Sequence, residues 1–358
     1  MASFAQTLKQ NVRTRYRRGP GGLDSLELRG SNFGALSLYR KQTASPTGAI
    51  TGELKTALEN SFGRVVQAPV IDYINPTIGN TRTCAVQVGG LNSKLVTFEF
   101  FTLSFGFPII RSQFINNELG EQDYIYRMFE ARRLAAMTLL DQKCVDHLEL
   151  SKNQYFPAPI LAYFPEANDA LQVSDAERLD YYNFIQSILE TMDLTGTPDV
   201  LANPMSMADV RKIQGQGTTD EGDLSYVLDG VGSFFSSNRV IAGAGNRAVQ
   251  YLVGNGAVGI VSRIDPDCDR GVAHGGAENP VREWTKQDVP GLGTMGLYYR
   301  QDCSDESATS AAVQLQGLTR TSVESMEWSA DYCLVKVYTS DEAGRFFPII
   351  KVEQKLAA

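Results

Sequence analysis

Hydrophobic and polar positions along the chain follow two periods, and the changes between them mark its elements. The longest helical pattern runs from about Gly120 to Asn153, with no proline or glycine over residues 121–156. Ile125, Met128, Phe129, Leu134, Met137, Leu140, Cys144, Val145 and Leu148 form one apolar stripe, while Arg127, Arg132, Arg133, Asp141, Lys143 and Asp146 fall largely off it. Roughly 32 residues at about 1.5 Å each predict a rod of about 48 Å. A helix that long, against about 10–14 residues for most, is the spine of a flat or elongated domain. A second helix is predicted over 175–193. Ser174 and Glu177 supply a capping-box pattern there, and Leu179, Tyr182, Ile185, Ile188, Leu189 and Met192 face inward. Shorter helices are expected at 52–62, opened by Thr51, and from Ser206 through Ile213.

Elsewhere the pattern is that of strands. Val65, Val66, Val70 and Ile71 precede the turn signals Asn75-Pro76 and Gly79-Asn80, and Cys84–Val88 returns from them, so a long two-stranded hairpin is expected. An isolated hairpin is marginal in water, and one that projects needs another surface to lie on. Residues 95–110 read as a buried strand or pair of strands, and Asp199–Asn203 as a buried strand. The later half alternates turns with strands at 238–242, 249–253, 257–264, 293–301, 322–338 and 346–353. The fold class is therefore α+β, with helices grouped centrally. Residues 24–50 read as extended chain, and the glycine-rich, acidic stretch 215–232 as a mobile loop.

Charge singles out the N-terminal segment. Residues 1–23 carry Lys9, Arg13, Arg15, Arg17 and Arg18, and the first acid is Asp24. Phe4, Leu8, Val12 and Tyr16 recur every four residues, followed by Gly19-Pro20-Gly21-Gly22, which reads as a basic amphipathic arm on a hinge. A transit peptide or a solvated basic tail has similar chemistry. The whole chain of 358 residues carries a formal charge of −8, which argues against a general nucleic-acid binder. Hydrophobic residues make up 43%, enough to fill a sizeable core, yet no apolar run reaches the 18 or so residues of a membrane span. No secretory signal is read in the first 25 residues. The five cysteines are scattered without a CxxC pair, so reduced thiols in a cytoplasm are expected. With only His147 and His274, histidine-based catalysis and multi-histidine metal sites lose weight.

The sharpest chemical motif is Gly243-Ala-Gly245-Asn-Arg-Ala248, with Asp265 twenty residues after Gly245. Such glycines can admit a pyrophosphate to a helix N-terminus, and the acid can take the ribose hydroxyls, so a nicotinamide-dependent oxidoreductase is one reading. Against it, Asn246–Val253 allows only about two helical turns before the tight-turn signal Asn255-Gly256. A β-hairpin with glycine turns fits better. Asp265, Asp267 and Asp269 alternate like the start of a calcium loop, but the glycine falls late and position 12 is Gly276 rather than glutamate. Walker, HExxH and GxSxG motifs are absent. No catalytic residue, cofactor or metal ligand is assigned.

Element order supplies the stronger lead. Gly63-Arg-Val-Val-Gln-Ala-Pro-Val-Ile71, Gln122–Met137, Val200-Leu-Ala-Asn-Pro204 and Leu252–Ile260 resemble the extended loop, the spine helix and parts of the axial lobe of tailed-bacteriophage major capsid proteins. The chain thus resembles the HK97-type capsid fold over nearly its whole length, with N-terminal arm, extended β-hairpin loop, long spine helix and axial domain. That resemblance implies an arm at 1–50, the extended loop with its flanking strands at 51–118 and a peripheral domain with the spine at 119–195. It implies an axial domain at 196–290 and a return to the peripheral domain at 291–358. It further implies a non-enzymatic structural protein that self-assembles into pentamers and hexamers of an icosahedral head packaging double-stranded DNA. A separate scaffolding protein and a portal are implied partners, with no sequence-specific DNA binding and no membrane. The location implied is the virion, after assembly in the host cytoplasm. Arg13, Arg15, Arg17 and Arg18 on the arm, and Tyr73, Asn75 and Asn80 on the hairpin, are the expected assembly contacts. Encapsulin nanocompartments share the fold and are the nearest structural alternative.

Overall fold

The computed structural model describes residues 33–45, 50–61, 63–71, 93–110, 118–192, 196–217, 231–265, 268–269, 273–276, 279–304, 321–337 and 348–356. In chain order, helices α1 (Gly34–Thr43) and α2 (Gly52–Glu59) precede strands β1 (Val65–Ile71), β2 (Ser93–Glu99) and β3 (Phe101–Ile110). The long helix α3 (Glu118–Leu150) is followed by α4 (Ala158–Leu161), β4 (Glu166–Ala167), β5 (Ala170–Val173) and α5 (Tyr181–Thr191). Next come β6 (Asp199–Ala202), α6 (Pro204–Gly217), β7 (Phe234–Ser236), β8 (Asn246–Val253) and β9 (Val258–Arg263). Strands β10 (Ala273–Gly276), β11 (Asn279–Val289), β12 (Gly293–Ser304), β13 (Thr321–Lys336) and β14 (Ile349–Lys355) complete the order. The fold is α+β, as its periodicity predicts.

Two compact units form. Among the described stretches, the first takes in Phe101–Leu140 and Ser262–Tyr332, and the second takes in Ser31–Phe100, Asp141–Val261 and Cys333–Ala358.

The first unit is built on an antiparallel sheet in the order β10-β11-β12-β13-β3. Strict alternation in β3 buries Leu103, Phe105, Phe107 and Ile109 and exposes Thr102, Ser104 and Pro108. The register sets Phe105 opposite Trp328, whose ring stacks on Phe105 and Phe107 and meets Phe129 of α3 edge-on at 5.0 Å. The indole N–H donates to Gln287 Oε1 (3.1 Å), so this fully buried ring leaves no polar atom unpaired. Arg133, expected off the apolar stripe, is instead buried. Its guanidinium makes a two-pronged pair with Glu130 at 2.8 and 3.2 Å and donates to the Pro290 carbonyl at 2.8 Å, which satisfies the charge without water.

The second unit holds a six-stranded mixed sheet in the order β4-β5-β14-β8-β6-β7. Strand β14 enters between β5, to which it is parallel, and β8, to which it is antiparallel. In register across the sheet, Val200, Leu252 and Ile350 form one row, and Leu171, Val352 and Ala202 lie in another. All face one buried cluster with Phe156, Ile160 and Phe164 around α4, Tyr182, Ile185 and Leu189 of α5, and Val210 of α6. Helices α4, α5 and α6 therefore cover one face. On the other face, Tyr251 Oη donates to Glu149 of α3 (2.5 Å) and Asp199 accepts from Gln42 of α1 (2.7 Å). Three layers result within this unit.

Several expectations change. Residues 34–43 form α1 rather than extended chain, with Leu36, Leu38 and Tyr39 buried. A side chain at Gly34 would collide with the backbone of Ser236, which is why glycine opens this helix. The strand expected at 238–242 lies earlier, at Phe234–Ser236. Helix α6 is capped by Asn203, whose Oδ1 accepts from Ser206 N–H (2.9 Å), rather than by Ser206. At α5, Glu177 N–H does donate to Ser174 Oγ, as half of the expected capping box, but the Ser174 hydroxyl itself donates to the Glu177 carboxylate. A turn separates the pair from the helix, which begins at Tyr181.

Candidate assembly surfaces

The hairpin is present as a stem. Strand β1 pairs antiparallel with β2 from Val65↔Glu99 to Ile71↔Ser93, so the returning strand is 93–99, and Cys84–Val88 lies outside the described residues. One face, with Val66, Ala68, Val96 and Phe98, packs on Ile50, Leu54, Leu58, Val261 and Val335. The stem thus lies on its own unit. The opposite face exposes Val65, Gln67 and Pro69 against Leu95, Thr97 and Glu99, with Leu95 directly across from Pro69. Tyr73, Asn75 and Asn80 lie outside the described residues, as do Arg13, Arg15, Arg17 and Arg18.

Helix α1, the first described element, is tied to the second unit by three polar anchors that sequence reasoning missed. Asp141, fully buried on α3, accepts from Leu36 N–H (2.9 Å) and Ser237 Oγ–H (2.7 Å) and pairs with Arg239 (3.3 Å). Asp199 accepts from Lys41 (2.5 Å), Gln42 and Ser233 N–H (2.8 Å). The Tyr39 hydroxyl lies 2.6 Å from His147 Nδ1 and 3.3 Å from the Cys144 carbonyl. The available sequence signal was position: Asp141, Cys144 and His147 fall three residues apart on one side of the long helix.

Burial, reinforced by the Lys336 charge, lowers His147 from 6.5 to about 4. The unfolded chain therefore binds a proton that the folded chain refuses between those values. This contribution to stability is complete above about pH 6.5, declines as pH falls toward 4 and is level below. We expect His147→Gln to flatten that part of the pH dependence of the urea midpoint; an unchanged slope between pH 7 and 4 would contradict the assignment.

The helical face of the second unit exposes apolar side chains at two places. Beside α4, the uncharged run Tyr155–Pro165 buries Phe156, Ile160 and Phe164 at four-residue spacing and turns Leu161 and Tyr163 outward. The Tyr163 ring, 68% exposed, stacks on Phe184 of α5 with centroids 6.0 Å apart. On α6, Met205 is 52% exposed and shares the outer side with Ala208, Arg211 and Lys212. Neither patch was read from the sequence, although eleven apolar residues without a charge at 155–165 were a legible signal.

The dinucleotide motif is overturned. Gly245 (φ +81°) turns the chain into β8, and Asn246–Val253 is strand, so no helix N-terminus follows to receive a pyrophosphate. The expected hairpin is corrected too: β8 pairs with β14 and β6, whereas β9 pairs with β13. Asp269 is held by Lys286 at 2.8 Å, and no group of three or more metal-ligating side chains occurs among the described residues. Among those residues no helix is long and apolar enough to cross a membrane.

Solved structures from phages resemble the chain. A structure titled "Mycobacterium phage Che8" shares 12% identity at a TM-score of 0.46, covering 85% of this chain and 89% of that one. "Capsid structure of the Cyanophage P-SCSP1u" shares 11% at 0.42, covering 83% and 84%, and "Gordonia phage Cozz" shares 14% at 0.38, covering 91% and 87%. No family model and no curated protein matches the sequence.

Proposed function

We propose that the chain is a major capsid protein of the HK97 type, a structural protein that self-assembles into the pentamers and hexamers of an icosahedral phage head. The observation that carries this reading is the succession of a two-stranded hairpin stem, a 33-residue helix and a three-layer unit whose sheet is completed by the late strand β14. Hairpins and helices that leave apolar faces uncovered suit a subunit that meets many neighbours through moderate contacts. The formal charge of −8 suits a container for double-stranded DNA that does not adhere to its contents. In this reading residues 1–50 are the arm, 51–118 the extended loop with its flanks, 119–195 the peripheral domain, 196–290 the axial domain and 291–358 the return. The protein has no catalytic role, works with a separate scaffolding protein and a portal, assembles in the host cytoplasm and resides in the virion.

Negative-stain microscopy and sedimentation of the purified protein test it. Rings of five or six subunits, or closed shells, are the expected result; a stable monomer or dimer that binds a dinucleotide would overturn it. The arm and the hairpin tip supply contacts between subunits, through Arg13, Arg15, Arg17 and Arg18 and through Tyr73, Asn75 and Asn80. Replacing the four arginines with alanine should lower particle yield several-fold and make the remaining yield less sensitive to salt, because exposed charge attraction is screened within about 8–10 Å at ordinary ionic strength. Unchanged yield and particle size would remove that role from the arm.

A further inference from the structure

The helical face of the second unit carries exposed apolar side chains at two places whose surrounding charges are of opposite sign. Helix α4 runs directly into β4, the outermost strand on one side, and α6 follows β6, whose other neighbour β7 is outermost on the opposite side. Both helices pack into the same buried cluster, so both lie on the same face. On the α4 side, Leu161, Tyr163 and Phe184 are exposed, accompanied by the exposed acids Glu166, Asp180 and Glu190. Asp180 is one helical turn from Phe184, and Glu166 immediately follows the apolar run. On the α6 side, exposed Met205 is accompanied by Arg211 and Lys212, also exposed and in no ion pair among the described residues.

A surface that is apolar and acidic at one place and apolar and basic at another is complementary to a second copy of itself. We infer that the α4–α5 edge of one subunit docks against the α6 edge of a second copy of this chain. Each Tyr163–Phe184 ledge receives Met205, and Glu166, Asp180 and Glu190 face Arg211 and Lys212. When each subunit uses its two sides on two different neighbours the contact is heterologous, and repetition about an axis closes a ring when the rotation per step divides a full turn. A contact of this kind generates pentamers and hexamers, whereas an isologous contact stops at a dimer. Apolar anchors surrounded by paired charge also match the usual anatomy of a specific interface. The inference rests on the self-assembly reading and names the surfaces that reading leaves open.

Charge exchange tests it on the full chain. Variant A carries Arg211→Glu and Lys212→Glu; variant B carries Glu166→Lys, Asp180→Lys and Glu190→Lys; variant C carries all five. A control, K55E with E59K, exchanges the charges of an exposed i,i+4 pair on α2. Every position substituted is at the surface, and thermal midpoints within a few degrees of the parent establish that each variant folds. The expected result is at least a tenfold loss of rings and larger particles in A and in B, recovery to within about twofold in C, and no loss in the control. Tyr163→Ser should reproduce part of the loss without any change of charge. Parent-like assembly by A and B, or assembly by C no better than by either, would overturn the docking while leaving the shell reading intact. A parent protein that stays monomeric or stops at a two-fold dimer would overturn both.

Discussion

Trp328→Ala should cost about 3–5 kcal/mol, a loss large enough to unfold much of a marginally stable protein at ordinary temperature. The ring is fully buried, stacks on Phe105 and Phe107 at 5.4 and 5.7 Å and meets Phe129 edge-on. Neighbours drawn from two strands and a helix cannot all close on the same void, so the cavity term adds to the lost transfer energy. Gln287 would also lose the indole donor and be left buried. Trp328→Phe keeps most of the apolar contact and should cost roughly 1–2 kcal/mol, near the upper end for a lost hydrogen bond. Urea unfolding followed by far-UV circular dichroism measures both. A Trp328→Ala loss below about 1 kcal/mol, the scale of an average substitution, would show that the ring is not central to this core.

The second large effect is expected at Asp141. This carboxylate is fully buried and joins three elements: it accepts from Leu36 N–H on α1 and from Ser237 after β7, and it pairs with Arg239. Removing one partner of a buried charge pair typically costs about 3–5 kcal/mol, and here the Leu36 N–H and the Ser237 hydroxyl would also lose their buried acceptor. Asp141→Ala should fall in that range, while Asp141→Asn should cost less because its amide oxygen can still accept one bond. Amide hydrogen exchange gives a local readout. In Asp141→Ala, protection should fall first over Phe33–Thr43, since Asp141 caps the N–H of Leu36 where the helix has no backbone partner for it. Uniform loss of protection with no excess in α1 would indicate a general rather than an anchoring role.

The contrast between these two sites shows what periodicity could and could not disclose. The apolar stripe of the long helix was readable, and Ile125, Phe129, Leu140, Cys144 and Leu148 are all buried as expected. Its two exceptions, Arg133 and Asp141, are charged residues on buried positions. A hydropathy pattern places such residues outside because it cannot see the Pro290 carbonyl or the Leu36 amide that satisfies them. Helix α1 escaped notice for a related reason. At ten residues it is too short to be stable alone whatever its propensity, and its helicity comes with tertiary anchors at Asp141 and Asp199. Strands were placed well where alternation was strict, as in β3 and β13, but their partners were not. The glycine turn before β9 reads locally as a hairpin, yet β9 joins a different strand altogether. For the proposed assembly surfaces, the arm and hairpin-tip residues were chosen from charge and turn chemistry alone. The exposed ledge at Leu161, Tyr163 and Phe184 needed three dimensions, because the same apolar run also supplies the core with Phe156, Ile160 and Phe164.

The position of β14 has a consequence for synthesis. Residues 349–355 fill the gap between β5, made nearly 180 residues earlier, and β8, and supply Ile350 and Val352 to the shared core. Until the ribosome has translated them, β5 and β8 present unpaired edges, and the core beneath α4–α6 is open. Closure across such sequence separation is intrinsically slow and leaves sticky intermediates. A nascent or truncated chain therefore cannot display the finished sheet edges, and translation itself limits which chains are competent to find a neighbour.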